Sequence, residues 1–99
     1  MLFMVNYSMV NPDYLESLLY ISPAGSPILF YEDGVYACKK GTRIASKVIE
    51  LVNSHPAYAL IGDLKARGIS KLVDGINVID YSEFVDLVEA HDVVPWLRN

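Results

Sequence analysis

The stretch "ILFYEDGVYACKKGTR", residues 28–43, decides the fold class and raises the main functional question. Its first four residues, Ile28–Tyr31, form a short continuous apolar run, which is typical of a strand buried on both faces of a sheet. Two acidic residues and Gly34 end the run, and a helical segment follows that holds Cys38, the one cysteine of the chain. The stretch therefore predicts a strand that leads directly into a helix, as in a parallel sheet.

The rest of the chain repeats this alternation of apolar runs and amphipathic segments. We predict four strands, at about residues 2–7, 28–32, 57–61 and 76–80. Between the second and third strands, Ile44, Val48 and Leu51 recur at helical spacing. Such alternation indicates an α/β protein with an open, mainly parallel four-stranded sheet and helices on both faces. The 99 residues, without repeats or linkers, fit a single domain that spans residues 1–99.

Short polar residues mark where helices are expected to begin. Asn11 followed by Pro12 predicts the start of the first helix, and Ser82 is the candidate N-cap of the last one. Asp63 is the candidate cap of a one-turn helix after the third strand. We interpret residues 95–97 as a short tail that Trp96 anchors to the body of the protein.

The composition excludes several classes of protein. A net charge of −4 argues against direct nucleic-acid binding, because phosphate neutralisation needs clustered Lys and Arg, and the cluster of Lys39, Lys40 and Arg43 is small. One cysteine excludes an internal disulfide framework and fits a reducing compartment, so we expect the protein in the cytoplasm. No apolar stretch reaches the ~20 residues of a membrane helix. No signal-peptide pattern is found at the N-terminus.

No pattern of a metal or cofactor site is found, and we expect neither group. His55 and His91 have no Cys or His at ligand spacing, and we expect both at the surface. Gly34 belongs to no phosphate-binding loop motif. Glu32 and Asp33 follow a strand, where ligand sites of parallel sheets gather, and they suit an acid/base pair or a cation site. We favour a helix start instead, in which Asp33 is the cap and Gly34 permits a tight turn.

Two interpretations of Cys38 remain open. As a nucleophile, it would lie near a helix N-terminus beside Lys39 and Lys40, a setting that lowers the pKa of a thiol and suits a persulfide carrier. As a structural residue, it would pack in the core with Val35 and Ala37, because free cysteine is among the most buried residue types. Adjacent residues of a helix do not share a face. If Lys39 and Lys40 face water, Cys38 is therefore expected to face the core. We favour the structural interpretation.

The apolar content predicts self-association. Hydrophobic residues make up 53% of the chain and the mean hydropathy is +0.27, whereas a small domain has a high ratio of surface to volume. Some apolar surface is therefore expected to face another subunit, so the isolated chain should form homo-oligomers. Asp33, Gly34 and Tyr36 are the candidate partner-contact residues, because they lie at the carboxyl end of a strand.

Several blocks of the sequence together resemble the DsrH/TusB family. The blocks are D-G-V-Y-A at residues 33–37, A-L at 59–60, D-L-K-A-R-G at 63–68, I-D-Y-S-E-F-V at 79–85, and Trp96. The resemblance runs from about Leu15 to Trp96 and implies a flavodoxin-like, DsrE-like fold. It also implies a small subunit of a sulfur-relay complex that contains DsrE/TusD-like and DsrF/TusC-like subunits and receives sulfur from a TusA-like carrier. The sulfur then goes toward 2-thiolation of the tRNA wobble uridine or into intracellular sulfur oxidation.

The resemblance assigns no role to Cys38. The principal sulfur-accepting cysteine of these complexes belongs to the DsrE/TusD-type subunit. At the position of Cys38, the residue in relatives resembles an alanine. Some DsrH proteins carry a cysteine after a Leu-Glu-Ser triplet, but here Leu15-Glu16-Ser17 is followed by Leu18. We therefore expect an accessory, non-catalytic subunit. The alternatives are a stand-alone sulfurtransferase-like protein that uses Cys38 and a non-catalytic α/β interaction module.

Overall fold

The computed structural model describes residues 1–8 and 12–95, which build an α/β layer structure around one sheet. In chain order the elements are β1 (Leu2–Val5), α1 (Pro12–Ile21), β2 (Ile28–Phe30), a 3-10 helix (Glu32–Cys38), α2 (Ala45–Ser54), β3 (Ala57–Leu60), α3 (Ile61–Ala66), β4 (Ile76–Ile79), α4 (Tyr81–Ala90) and β5 (Val93–Pro95). The start of α1 at Pro12 agrees with the sequence, since proline is well tolerated at the first helical position. The expected N-cap Asn11 lies outside the described residues.

The sheet is open and all its strand pairs are parallel, with the strand order β4-β3-β2-β1-β5. The four predicted strands are confirmed, but the predicted number is wrong, because the sheet has five strands. The fifth strand lies after the last predicted helix and overlaps the predicted tail at Pro95, and it pairs Leu2 with Val93 and Met4 with Pro95. It is three residues long and ends in proline, which an edge strand tolerates. Trp96, the expected anchor, lies outside the described residues.

One face of the sheet holds the larger part of the core. Alternate side chains of the central strands, such as Phe3 and Phe30, pack there against Leu15 of α1 and against Val48 and Leu51 of α2. The 3-10 helix lies on the same face and adds its buried residues to this cluster. The pattern follows from the strand period of two, which sends neighbouring side chains to opposite faces.

The other face is covered by α4. Leu2, Leu29 and Ile79 are buried there, and Phe84 and Leu87 of α4 pack on them. Together with partly buried neighbours such as Met4 and Tyr58, these residues form the second, smaller part of the core. Helices therefore lie on both faces, as the sequence predicts.

The start of α4 differs from the prediction. Its N-cap is Asp80, whose carboxylate accepts a hydrogen bond from the Glu83 amide at 2.8 Å, while the Glu83 carboxylate accepts one from the Asp80 amide at 3.1 Å. This reciprocal capping box satisfies two amides that the helix itself leaves without partners. Ser82, the predicted cap, lies inside the helix.

His55 is buried, so its expected place at the surface is wrong. The residue is 4% exposed and follows α2. Its Nδ1 donates to the carbonyl oxygen of Ser26 at 2.8 Å, and its Nε2 lies 3.2 Å from the Ser22 hydroxyl. That hydroxyl also donates to the Leu18 carbonyl at 2.6 Å. The imidazole thus joins the ends of α1 and α2 to the loop that leads into β2.

Within the described part of the chain, no helix combines the length and the apolar character that crossing a membrane requires.

Candidate functional site at the carboxyl edge of the sheet

The 3-10 helix follows β2 directly and divides its residues between the core and the solvent. A 3-10 helix has three residues per turn, so residues three apart share a face. Two of its faces point inward and bury the residues Gly34, Val35, Ala37 and Cys38. The third face carries Asp33 and Tyr36, and it is exposed together with Glu32 at the start of the helix. Candidate contact groups and the single thiol therefore point in different directions.

Gly34 is buried because the helix passes very close to the end of β1. A Cβ atom at this position would overlap the Val5 carbonyl oxygen and lie 2.7 Å from the Val5 carbonyl carbon. The backbone of Gly34 does not have a positive φ angle, so the predicted tight turn is not the reason for a glycine here. The reason is the close approach of two backbone segments, and Gly34 sits beneath the exposed groups rather than among them.

Cys38 is the last residue of the 3-10 helix, so the N-terminal setting considered for a reactive thiol is not present. The side chain is fully buried, as predicted, although the exposed residues Lys39 and Lys40 lie beyond the end of the helix rather than on another of its faces. Its backbone carbonyl accepts a hydrogen bond from the Val73 amide at 2.8 Å, which ties this end of the helix to the segment before β4. Burial raises the pKa of the Cys38 thiol far above its ordinary value, because the surrounding apolar core disfavours the thiolate.

The acidic residues after β2 form a network with α3. Arg67 contacts Asp33 through Nη2 at 2.8 Å and through Nε at 2.9 Å, and its Nη1 lies 3.5 Å from a carboxylate oxygen of Asp63. The other Asp63 carboxylate oxygen accepts a hydrogen bond from the Glu32 amide at 2.7 Å. The hydrogen bond to Asp33 is the main cause that raises the pKa of Arg67, and the charges of Asp33 and Asp63 add to it. The network fixes the exposed start of the 3-10 helix against α3.

These contacts correct two expectations from the sequence. Asp33 caps no helix; it lies inside the 3-10 helix, where its partner is Arg67. Asp63 is likewise inside α3, whose N-cap residue is Leu60. Glu32 adopts φ = 50°, a left-handed conformation that is uncommon for residues other than glycine. Across residues 1–8 and 12–95, no group of three or more His, Cys, Asp or Glu side chains is arranged to hold a metal ion.

Aromatic side chains border the network. Tyr31 contacts Phe84 edge-on with ring centroids 6.2 Å apart, and Tyr81 stacks on Phe84 at 5.7 Å. Burial raises the pKa of Tyr31, and the negative charge of Glu32 raises it further. Tyr81 is 71% exposed and Tyr36 is 39% exposed. This edge of the sheet therefore combines fixed carboxylates with exposed aromatic surface, which suits contact with another protein better than bond-breaking chemistry.

Sequence reasoning found part of this site. It named Glu32, Asp33 and Tyr36, but it missed Arg67 as the partner of Asp33 and Tyr81 as the most exposed aromatic residue of the edge. A signal for Tyr81 was available, because the residue directly follows the fourth predicted strand and parallel strands end at the same edge of a sheet. Arg67 belongs to the block at residues 63–68 that carries the family resemblance, but no signal paired it with Asp33, which lies 34 residues away.

Two solved structures share this fold. A protein of unknown function from Methanobacterium thermoautotrophicum superposes with a TM-score of 0.72 at 16% identity, covering 95% of this chain and 96% of the other. The solution NMR structure of a protein from Thermotoga maritima gives a TM-score of 0.61 at 24% identity, with coverages of 92% and 94%. At such identities the likeness establishes the fold alone.

Curated relatives and a family model add sequence evidence. Protein TusB of Serratia proteamaculans is 40% identical over 80 residues, which cover 78% of this chain and 80% of the relative. Protein TusB of Yersinia pestis is 34% identical over 94 residues, which cover 92% and 94%. The family model for DsrH-like proteins matches residues 8–94. The resemblance seen in the sequence is thereby confirmed, and the chain belongs to the DsrH family.

Proposed function

We propose that this chain is an accessory, non-catalytic subunit of a cytoplasmic sulfur-relay complex that supplies sulfur for 2-thiolation of the tRNA wobble uridine. One observation carries the proposal: the single cysteine of a DsrH-family chain is fully buried. A relay step requires a thiolate that attacks the outer sulfur of a donor persulfide. Cys38 lacks solvent contact, and its pKa is raised by burial, so it suits packing rather than sulfur transfer.

The proposed contact surface for the DsrE/TusD-like and DsrF/TusC-like subunits is the exposed face of the 3-10 helix. Tyr36 offers partly exposed aromatic area, and tyrosine is enriched among the residues that dominate binding energy. Asp33 is held by a hydrogen bond from Arg67 Nε and an ion pair with Arg67 Nη2, so little side-chain freedom remains to be lost on binding. Gly34 lets this helix lie directly on the end of β1, so the proposed surface is supported by the sheet. A TusA-like carrier would then reach the complex through the cysteine-bearing subunit.

The two alternatives differ from the proposal in whether this chain carries sulfur and whether its partners do. A stand-alone sulfurtransferase would have to carry sulfur on Cys38, which requires local opening of the core before any donor can reach the thiol. An interaction module without a relay role would bind partners that carry no transferable sulfur. The first alternative is disfavoured by the burial of Cys38, and the second is separated from our proposal by experiment.

Reconstitution with the DsrE/TusD-like and DsrF/TusC-like subunits of the same organism tests the proposal. We expect the three chains to co-purify, and we expect Cys38→Ala to leave transfer of ³⁵S from a persulfide-loaded TusA-like carrier to tRNA unchanged. Tyr36→Ser should weaken assembly, whereas Tyr20→Ser, at a tyrosine that is 90% exposed on α1, should not. Failure to co-purify, or loss of transfer in a fully assembled Cys38→Ala complex, would contradict the proposal.

A further inference from the structure

The fold gathers half of the cations of the chain into one basic patch, defined as Lys39, Lys40, Arg43 and Lys71. The sequence separates Lys71 from the other three, but the Lys40 amide donates to the Lys71 carbonyl at 2.9 Å. An isolated β-bridge between Lys39 and Leu72 holds the two segments together. All four side chains are exposed, and none of them forms an ion pair within the described residues. The patch is therefore a concentrated positive surface on a protein whose net charge is −4.

A small apolar cleft adjoins this basic patch. Its volume is about 250 Å³, and its lining includes Ala45, Ile49, Val52 and Val73 together with Lys40 and Asp74. Ligand pockets usually measure roughly 300–1,000 Å³, so the cleft is smaller than a typical small-molecule site. Its size and lining suit one inserted apolar or aromatic side chain, with Lys40 beside it to meet a negative charge.

The carboxyl edge of the sheet carries the complementary features. We define the acidic edge as the carboxylates of Glu32, Asp33, Asp63, Asp80 and Glu83, which outnumber the two cations of the same region, Lys65 and Arg67. Tyr81 borders this edge, is 71% exposed and is held in place by stacking on Phe84. A fixed, exposed aromatic ring next to negative charge is the counterpart that the cleft and the basic patch require.

We propose that the acidic edge of one copy of this chain docks on the basic patch of a second copy, with Tyr81 inserted into the apolar cleft beside Lys40. The occupant is a second copy because both halves of the complementary pair, in charge and in shape, are on this one chain. Charge complementarity of this kind sets orientation and speeds association. The two surfaces are different, so the contact is heterologous, and repetition of it gives closed rings or open chains rather than a two-fold dimer.

Complementation between two variants tests this arrangement. Lys40→Glu/Lys71→Glu damages the basic patch, and Glu32→Lys/Tyr81→Ala damages the acidic edge. In sedimentation velocity at low salt, the wild type should associate, and each variant alone should show a dissociation constant raised by about tenfold or more. An equal mixture should form a dimer of one copy of each, because it retains one intact edge and one intact patch. Added salt should weaken association, since exposed charges are screened.

The controls keep the result interpretable. Tyr20→Ala removes the most exposed tyrosine of the described residues outside the proposed contact and should leave association unchanged. Circular dichroism checks that each variant is folded, and Glu32→Lys alone replaces the double variant if the latter is not. A wild type that stays monomeric at its highest soluble concentration, variants that associate normally, or a mixture that does not recover would each overturn the proposal. Asp33 belongs to both proposed contacts, but sedimentation uses the isolated chain, so its result can be distinguished from success or failure of co-purification with the partner subunits.

Discussion

The inward and outward sides of the 3-10 helix differ in what they contribute, although both come from the same seven residues. The inward side, represented by Gly34 and Cys38, contacts β1 and the main core and is fully buried. The outward side, represented by Asp33 and Tyr36, faces solvent and is fixed by Arg67. The thiol lies on the side that holds the fold together, and the contact groups lie on the side that a partner can reach. Chemical type alone is therefore a poor guide to function here.

The largest expected effect tests the inward side at Gly34. Gly34→Ala should lower the free energy of unfolding by about 3 kcal/mol, because the new methyl group has to displace either the helix or the Val5 carbonyl of β1. Urea denaturation followed by circular dichroism measures the change. Gly62→Ala is the matched control, since a Cβ atom at Gly62 meets nothing within 4 Å.

Gly62 lies in α3, where alanine is a better helix former than glycine. The free energy of unfolding of this control should therefore rise by up to about 1 kcal/mol. Equal stabilities for Gly34→Ala and the wild type would show that the helix does not press on β1. The inward side would then be loosely packed, and the contrast between the two sides would fail.

A smaller effect should come from the Cys38 thiol as the pH rises. Burial raises its pKa in the folded chain, whereas the unfolded chain titrates near the ordinary value of 9.0. Below that pH both states keep the proton, and above it the unfolded chain loses the proton first, so stability falls as the pH rises. Relative to Cys38→Ala, the wild type should lose about 1.4 kcal/mol for each pH unit above 9.0.

Denaturation of both proteins over this pH range checks the prediction, because the other titrating groups are common to the two. At neutral pH the alanine variant should be only about 1 kcal/mol less stable than the wild type. A difference in the free energy of unfolding between the two proteins that stays constant up to high pH would mean that the thiol ionises as easily in the folded chain as in the unfolded chain. Cys38 would then have access to solvent, contrary to its place on the inward side.

The parts of the fold that the sequence predicts are those with a local signal. The apolar run at Ile28–Phe30 is buried on both faces, and its continuous apolar pattern predicts a central strand. The strand Val93–Pro95 is largely exposed and ends in proline, so it shows no buried apolar run, and it depends on its pairing with β1. The start of α4 was predictable in principle, since Asp80 and Glu83 have the spacing of a capping box and Ser82 does not have such a partner.

The parts of the site that the sequence does not predict depend on contacts between distant segments. The pair of Asp33 and Arg67 joins residues 34 positions apart, and the buried His55 is held by Ser26, 29 positions away. No residue type or spacing within one segment signals such a partner. The burial of Cys38 was predicted correctly, but the helix ends at Cys38, so the two exposed lysines lie beyond it and do not explain the burial through the faces of one helix.

The central claim, that this chain assists sulfur transfer without carrying sulfur, is tested most directly by mass spectrometry of the intact protein after incubation with a persulfide donor. We predict that the folded wild type gains no sulfur, either alone or in the assembled complex. Denatured wild type should become reactive, which shows that the thiol itself is competent. A gain of one sulfur atom on the folded wild type, absent from Cys38→Ala, would contradict the account.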